Sequence, residues 1–154
     1  MTKAAAVDVP VPVHEHLSFF KRMQEILGIQ RLRTDQDLVK LVEQRLPIHA
    51  IDGLRRFGLT DDEIYSLIVP RRTLTHRRAR REPLSREESD RVVRVARIGA
   101  LGEEVFGDRG RSWRWLRTPK RQFKGRAPLQ LTATEAGARL VEELLYRIDE
   151  GMAA

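Results

Sequence analysis

The sequence predicts an all-α fold in which a helix-turn-helix unit is followed by a small helical domain. Three observations predict it. Apolar residues recur at intervals of three and four, and no stretch alternates as a half-buried strand would. A Ser or Thr also stands three residues ahead of an acid at Thr34–Asp37, Thr60–Glu63 and Ser85–Glu88. In each pair the hydroxyl can accept from the third helical amide while the carboxylate reaches back to the cap, so each marks a helix start.

The elements follow in order. Residues 1–16, small and Val/Pro-alternating, have no helical pattern and read as a flexible arm. A first helix is expected from Ser18 through Phe19, Phe20, Met23, Ile26 and Leu27 to a stop at Gly28. Thr34 opens a second, with Leu38, Leu41 and Val42 on one face and Pro47 beyond its end. Ile48, Ile51 and Leu54 carry a third, closed at Gly58. Thr60 caps a fourth, whose Ile64, Leu67 and Ile68 lie together. Pro70 then starts a fifth, about Arg71 to Arg80, with only Leu74 as an apolar anchor. Ser85 caps a longer sixth helix with Val92, Val95, Ala96 and Gly99 on its apolar face. The last helix, from about Thr134, sets Leu140, Val141, Leu144, Leu145 and Ile148 inward and leaves Glu142, Glu143, Asp149 and Glu150 outside.

Composition limits the function. The 154 residues, 41% hydrophobic and 33% charged, suit one domain or two small ones with a real core. No cysteine is present, which excludes a disulfide scaffold, thiolate zinc sites and cysteine catalysis. No apolar run approaches the roughly 18 residues of a membrane-spanning helix, so a cytoplasmic protein without a membrane partner is expected.

The net charge of +7 is unevenly placed. Arg71, Arg72, Arg77, Arg78, Arg80 and Arg81 fall between positions 71 and 81 with no acid among them. Arg109, Arg111, Arg114, Arg117, Lys120, Arg121, Lys124 and Arg126 fall between 109 and 126, again with no acid. Removing these fourteen cations leaves −7 for the remainder, so an acidic body carries two basic segments. Arginine supplies 24 of the 29 cations, and its rigid fork suits phosphates and guanine edges.

A buried helix, a short turn and an almost wholly basic helix, backed by a longer amphipathic one, is the order of a helix-turn-helix DNA-binding unit. The second helix of that motif enters the major groove. Its expected contacts here are Arg71, Arg72, Thr73, Thr75, His76, Arg77, Arg78, Arg80 and Arg81, to bases and phosphates of double-stranded DNA.

Particular residues carry a family resemblance. Arg72-Thr73-Leu74, Arg77-Arg78, Leu84-Ser85, Glu88-Ser89-Asp90-Arg91, Ala96-Arg97 and Glu104-Val105-Phe106-Gly107 resemble the Xre-like helix-turn-helix of the Xre/MbcA/ParS antitoxins. Trp115-Leu116, Gly125, Pro128-Leu129, Leu131, Thr134, Gly137, Val141, Leu144, Arg147-Ile148 and Gly151 are similar to the family's toxin-binding domain. The likeness covers about 35–152, and departs from the pattern at Trp113-Arg114-Trp115 and at the Gln122–Gly125 turn. Beside the arm and short helix that composition and periodicity place over 1–33, it implies a DNA-binding domain over 34–98 and a toxin-binding domain over 99–154.

The resemblance also implies a non-enzymatic antitoxin of a type II toxin-antitoxin system. Its partners would be a RES-domain, NAD-consuming toxin and operator DNA, bound as a homodimer or a toxin-antitoxin hetero-oligomer that represses its own operon. Lys124, Arg126, Asp149, Glu150, Gly151, Met152, Ala153 and Ala154 are the expected toxin-facing residues. The alternative is a free-standing regulator whose C-terminal domain serves dimerisation or sensing.

Between Gly107 and Pro128, Trp113, Trp115 and Phe123 lie among cations, a composition shared by base-stacking sites and protein-interface hot spots. Trp115-Leu116 is expected to anchor a short core helix, and Gly107–Gly110 to be a helix-ending turn. His14 and His16 lack a matching third metal ligand, and no Walker A, dinucleotide-binding or nucleophile-elbow motif occurs. Asp61-Asp62 and Glu87-Glu88 fall in first helical turns, where the macrodipole accounts for them. No catalytic residue, metal or cofactor is expected.

Overall fold

A computed structural model describes residues 13–151. It consists of α1 (Val13–Leu27), α2 (Asp35–Glu43), α3 (His49–Phe57), α4 (Asp61–Leu67), α5 (Arg71–Arg80), α6 (Arg86–Phe106), α7 (Arg109–Arg117), α8 (Pro128–Leu131) and α9 (Glu135–Asp149). A 3-10 turn spans Arg121–Phe123. No strand forms among the described residues; a single antiparallel bridge joins Lys120 to Arg126. None of these helices is long and apolar enough to cross a membrane.

All three capping boxes form, with Thr34, Thr60 and Ser85 each accepting from the third amide and Asp37, Glu63 and Glu88 returning to the cap. Gly58 and Gly107 end α3 and α6 with positive φ, as the sequence indicates. The start of α1 differs. It begins at Val13, five residues ahead of Ser18, and takes in part of the expected arm. Pro10 and Pro12 precede it, so Val13 is the first position after the prolines with an amide proton for a helix.

The 21-residue α6 is the axis of the molecule. It packs against α1, α2, α3, α7 and α9, and Val92, Val95, Ala96, Ile98 and Ala100 are almost wholly buried. One continuous core runs from Met23 and Leu27 through Ile51, Leu54 and Ile64 to Leu116, Val141 and Leu145. The expected division at 98/99 therefore falls inside a helix that both halves share. On the side facing α5, the Leu84 amide donates to the Leu46 carbonyl at 2.9 Å and the Leu46 amide to Ser89 Oγ at 2.8 Å.

The expected aromatic anchor shifts by two residues. Trp113, 6% exposed, is the buried ring of α7, while Trp115 is half-buried beside Phe106. The Trp113 indole donates to the Phe57 carbonyl at 2.8 Å, and its ring meets the Phe57 ring edge-on at 5.6 Å. A Cβ at Gly58 would stand 2.4 Å from the Trp113 ring nitrogen, and one at Gly99 2.7 Å from the Phe57 ring, so only glycine leaves room for both rings. Asp108 caps α7 by accepting from the Arg111 amide at 2.7 Å, and the helix phase set there turns Trp113 inward and Trp115 aside.

Along α9, Val141, Leu144 and Leu145 are buried as expected, against α6 and α8. Leu140 is not; it is half exposed, because it lies beyond the edge of the strip that α6 covers. Glu142 is drawn inward and pairs with Arg97 at 2.9 Å rather than standing free. Replacing Trp113 with Ala should cost about 3–5 kcal/mol in denaturant unfolding, as a buried aromatic truncation does, and replacing Trp115 with Ala should cost clearly less.

Candidate nucleic-acid interface

Helix α5 follows α4 across a three-residue turn, Ile68-Val69-Pro70. Ile68 and Val69 are buried and hold the turn to the core, while the Arg91 guanidinium donates to the Ile68 carbonyl at 3.1 Å. Pro70 is the cap itself, one place earlier than the first helical position. Leu74 is the single buried residue of α5, so apolar packing alone would hold the helix weakly. Ion pairs supply what packing lacks.

Arg77 and Arg78 make them. Arg77, 19% exposed at its side chain, lies against Glu88, 9% exposed, with Nε 2.9 Å from a carboxylate oxygen and a second contact to Glu82 at 3.6 Å. Glu88 at the same time closes the α6 capping box, so one carboxylate fixes both the start of α6 and the underside of α5. Arg78 pairs with Asp52 of α3, which Arg55 also contacts at 3.0 Å. Burial alone would raise the Asp52 carboxyl, but hydrogen bonding to Arg78 and the nearby charges of Arg78 and Arg55 hold it below its ordinary value.

The outward face is what remains. Arg72, Thr75, His76 and Ala79 succeed one another along one helical stripe opposite Leu74, and with Arg71 and Thr73 they line a shallow open concavity. Arg71, Arg72, Thr75, His76, Arg80 and Arg81 are exposed, and Thr73 is half-buried. Thr75 donates its hydroxyl to the Arg71 carbonyl at 3.0 Å, and Arg80 reaches Glu82 only at 4.0 Å. Of the nine expected DNA contacts, Arg77 is thus turned into the fold and Arg78 is tethered at its edge. Ala79, absent from the expected set, also lines the concavity and adds a small apolar surface to it. Its place on the Arg72 stripe was readable from the spacing alone.

The second basic segment also divides. Arg109 binds Glu103 at 3.1 Å and lies over the Phe57 ring at 4.5 Å. Arg117 lies over Trp113 at 4.8 Å and donates both to Glu63, at 2.6 and 2.9 Å, and to the Gly58 carbonyl at 2.7 Å. Lys120 sits 5.0 Å from the Trp115 ring, where partial burial lowers its pKa. Arg111, Arg114, Arg121, Lys124 and Arg126 are exposed and have no ion pair among the described residues. Lys124 and Gly125 turn the 120–126 loop through two positive φ values.

The two segments of the chain have separate counterparts. Residues 37–97 match the antitoxin Xre-like helix-turn-helix domain, and residues 101–151 match the antitoxin Xre/MbcA/ParS C-terminal toxin-binding domain. The protein Antitoxin Xre of Pseudomonas putida is 37% identical over 130 residues, which cover 84% of this chain and 82% of that one. The chain belongs to the Xre/MbcA/ParS antitoxin family. Antitoxin Xre of Yersinia enterocolitica is 35% identical over 85 residues, 54% of this chain and 57% of that one. As a family member the chain is a type II antitoxin, in a non-enzymatic family that joins a DNA-binding helix-turn-helix to a toxin-binding domain.

Within that toxin-binding domain the expected residues form two groups. Lys124 and Arg126 project from the 120–126 loop, and Asp149, Glu150 and Gly151 are exposed at the end of α9. No hydrogen bond or ion pair among the described residues joins one group to the other. Met152, Ala153 and Ala154 lie outside the described residues.

Glu63 gives the site a pH signature. Burial raises its carboxyl, but hydrogen bonds from Arg117 and Thr60 and the Arg117 charge outweigh it, so the net shift is downward. A depressed carboxylate contributes stability that is full above its ordinary value of 4.5 and is lost as pH falls through the lower folded value. Acid unfolding followed by helical signal should therefore begin below pH 4.5, and Arg117→Ala should make the acid dependence shallower.

Proposed function

We propose that this antitoxin binds and inhibits a RES-domain toxin that consumes NAD, and represses its own operon by binding operator DNA as a homodimer or a toxin-antitoxin hetero-oligomer. DNA recognition falls to the 34–98 segment and toxin binding to 99–154. The observation that carries the reading is the exposed stripe of α5, backed from beneath by Arg77–Glu88, in a chain whose last third matches a toxin-binding domain. A free-standing regulator would need its second domain only for dimerisation or sensing, whereas residues 101–151 match a domain described as toxin-binding. The absence of cysteine suits a cytoplasmic site of action.

The RES assignment rests on the resemblance of the motif series ending in Arg147-Ile148 and Gly151. The chemistry of α9 agrees with it. Asp149 and Glu150 stand where the helix carbonyls already concentrate negative charge, and Gly151 turns the chain away at φ +73°. An anionic end of this kind can occupy a cleft built for the phosphates of NAD.

Purifying the chain with the product of its neighbouring reading frame, and measuring whether NAD loss stops, tests the pairing. Deleting Gly151 to Ala154 should abolish inhibition while the two proteins still co-purify; full inhibition by the truncated chain removes the tail from the mechanism. Arg71→Ala with Arg72→Ala should weaken operator binding and leave both thermal stability and neutralisation intact. Arg77→Ala should instead lower the unfolding midpoint, since it strips the charge partner from a buried carboxylate.

A further inference from the structure

We propose that Arg111 and Arg114 of α7 form a second DNA-backbone contact, set rigidly beside the helix-turn-helix and binding phosphates that flank the half-site read by α5. The inference rests on the DNA-binding reading above and extends it to the domain matched as toxin-binding.

Geometry supplies the first reason. Residues three apart on a helix are neighbours, so Arg111, Arg114 and Arg117 form one continuous stripe. Its inner end is fixed: Arg117 donates to Glu63 in the first turn of α4 and to the Gly58 carbonyl just before it. Helix α4 is the first helix of the helix-turn-helix, the one that crosses the DNA backbone when the second lies in the groove. The stripe therefore runs outward from the edge of the helix that approaches phosphate most directly.

Charge supplies the second. No Asp or Glu occurs from 109 to 134, and the acids of the α4 first turn are largely answered: Glu63 by Arg117 and Asp61 by Arg55 at 2.6 Å, leaving Asp62. Arg109, Arg117 and Lys120 are taken up within the fold, whereas Arg111 and Arg114 are exposed without an ion pair among the described residues. Each is a planar fork suited to phosphate oxygens.

Rigidity supplies the third. The Trp113 hydrogen bond to Phe57 and the Arg117 contacts lock α7 to the corner between α3 and α4, so little ordering remains to be done when DNA arrives. Loop cations such as Lys124 and Arg126 have no such tie to the helix-turn-helix. They are left for the toxin.

The test uses the full chain with Arg111→Gln and Arg114→Gln together, and DNA from immediately upstream of its reading frame beside a scrambled duplex of equal length. Binding is measured between about 50 and 200 mM salt, where each phosphate contact contributes roughly 0.9 to the slope of log affinity against log salt. The double variant should lower that slope by about two for each bound protomer and weaken both duplexes by the same factor, with NAD-loss inhibition unchanged. The Arg111→Lys, Arg114→Lys variant should retain most of the slope.

An unchanged slope in a variant that still folds overturns the inference and leaves recognition by α5 standing. Loss of toxin inhibition in place of DNA affinity also overturns it, and assigns the stripe to the toxin. A wild-type chain that fails to bind DNA at all overturns both this inference and the DNA-binding reading beneath it.

Discussion

The contact between Trp113 and Phe57 is the constraint on which the rest of the molecule depends. A buried indole that donates to a backbone carbonyl and meets a second ring edge-on is specific in angle as well as distance, so it fixes α7 against α3 in one orientation. Neighbouring positions conform to it. Gly58 and Gly99 leave space for the rings, and Gly102 lets α6 approach Ser112, whose Oγ a Cβ there would meet at 2.3 Å. Arg109 and Arg117 cover the two aromatic faces from outside. Two regions with separate family counterparts thereby become one body, with α6 passing through both.

That arrangement changes what the +7 means. Net charge describes attraction at a distance, whereas an interface is made by the cations that stay unpaired after folding. In the first basic segment Arg77 and Arg78 hold α5 down and Arg71, Arg72, Arg80 and Arg81 remain outside. In the second, Arg109 and Arg117 weld α7 to the DNA-binding half while Arg111, Arg114 and the loop cations remain outside. Internal arginines thus present the external ones, and losing an internal charge acts on function by way of structure.

Much of the fold was legible because its signals are local. A capping box, a terminal glycine and an apolar stripe each lie within a few residues, and all three boxes formed where the spacing placed them. Basic character on a helix with one apolar anchor was also local, which is why α5 could be picked out. The misses were non-local. Which of Trp113 and Trp115 turns inward depends on the helix phase set by Asp108 and on a carbonyl 56 residues away. Arg77 points inward because of Glu88, eleven residues on and across a turn. Leu140 shares its apolar stripe with the buried Val141, Leu144 and Leu145, and a broad apolar face does not reveal how much of it a neighbour covers. The expected toxin-facing residues rest on family likeness alone, since a surface complementary to another protein leaves no pattern within its own chain.

If Trp113 and Phe57 join the two halves into one cooperative unit, amides of the DNA-binding and toxin-binding halves must share their deepest opening reaction. Native-state hydrogen exchange on the full chain tests this most directly, by comparing the slowest amides of α3 and α6 with those of α7 and α9 as denaturant is raised. The account predicts that the four sets merge into one opening isotherm with a common free energy. A lower, separate isotherm for α7 and α9, with α3 still protected, would contradict it.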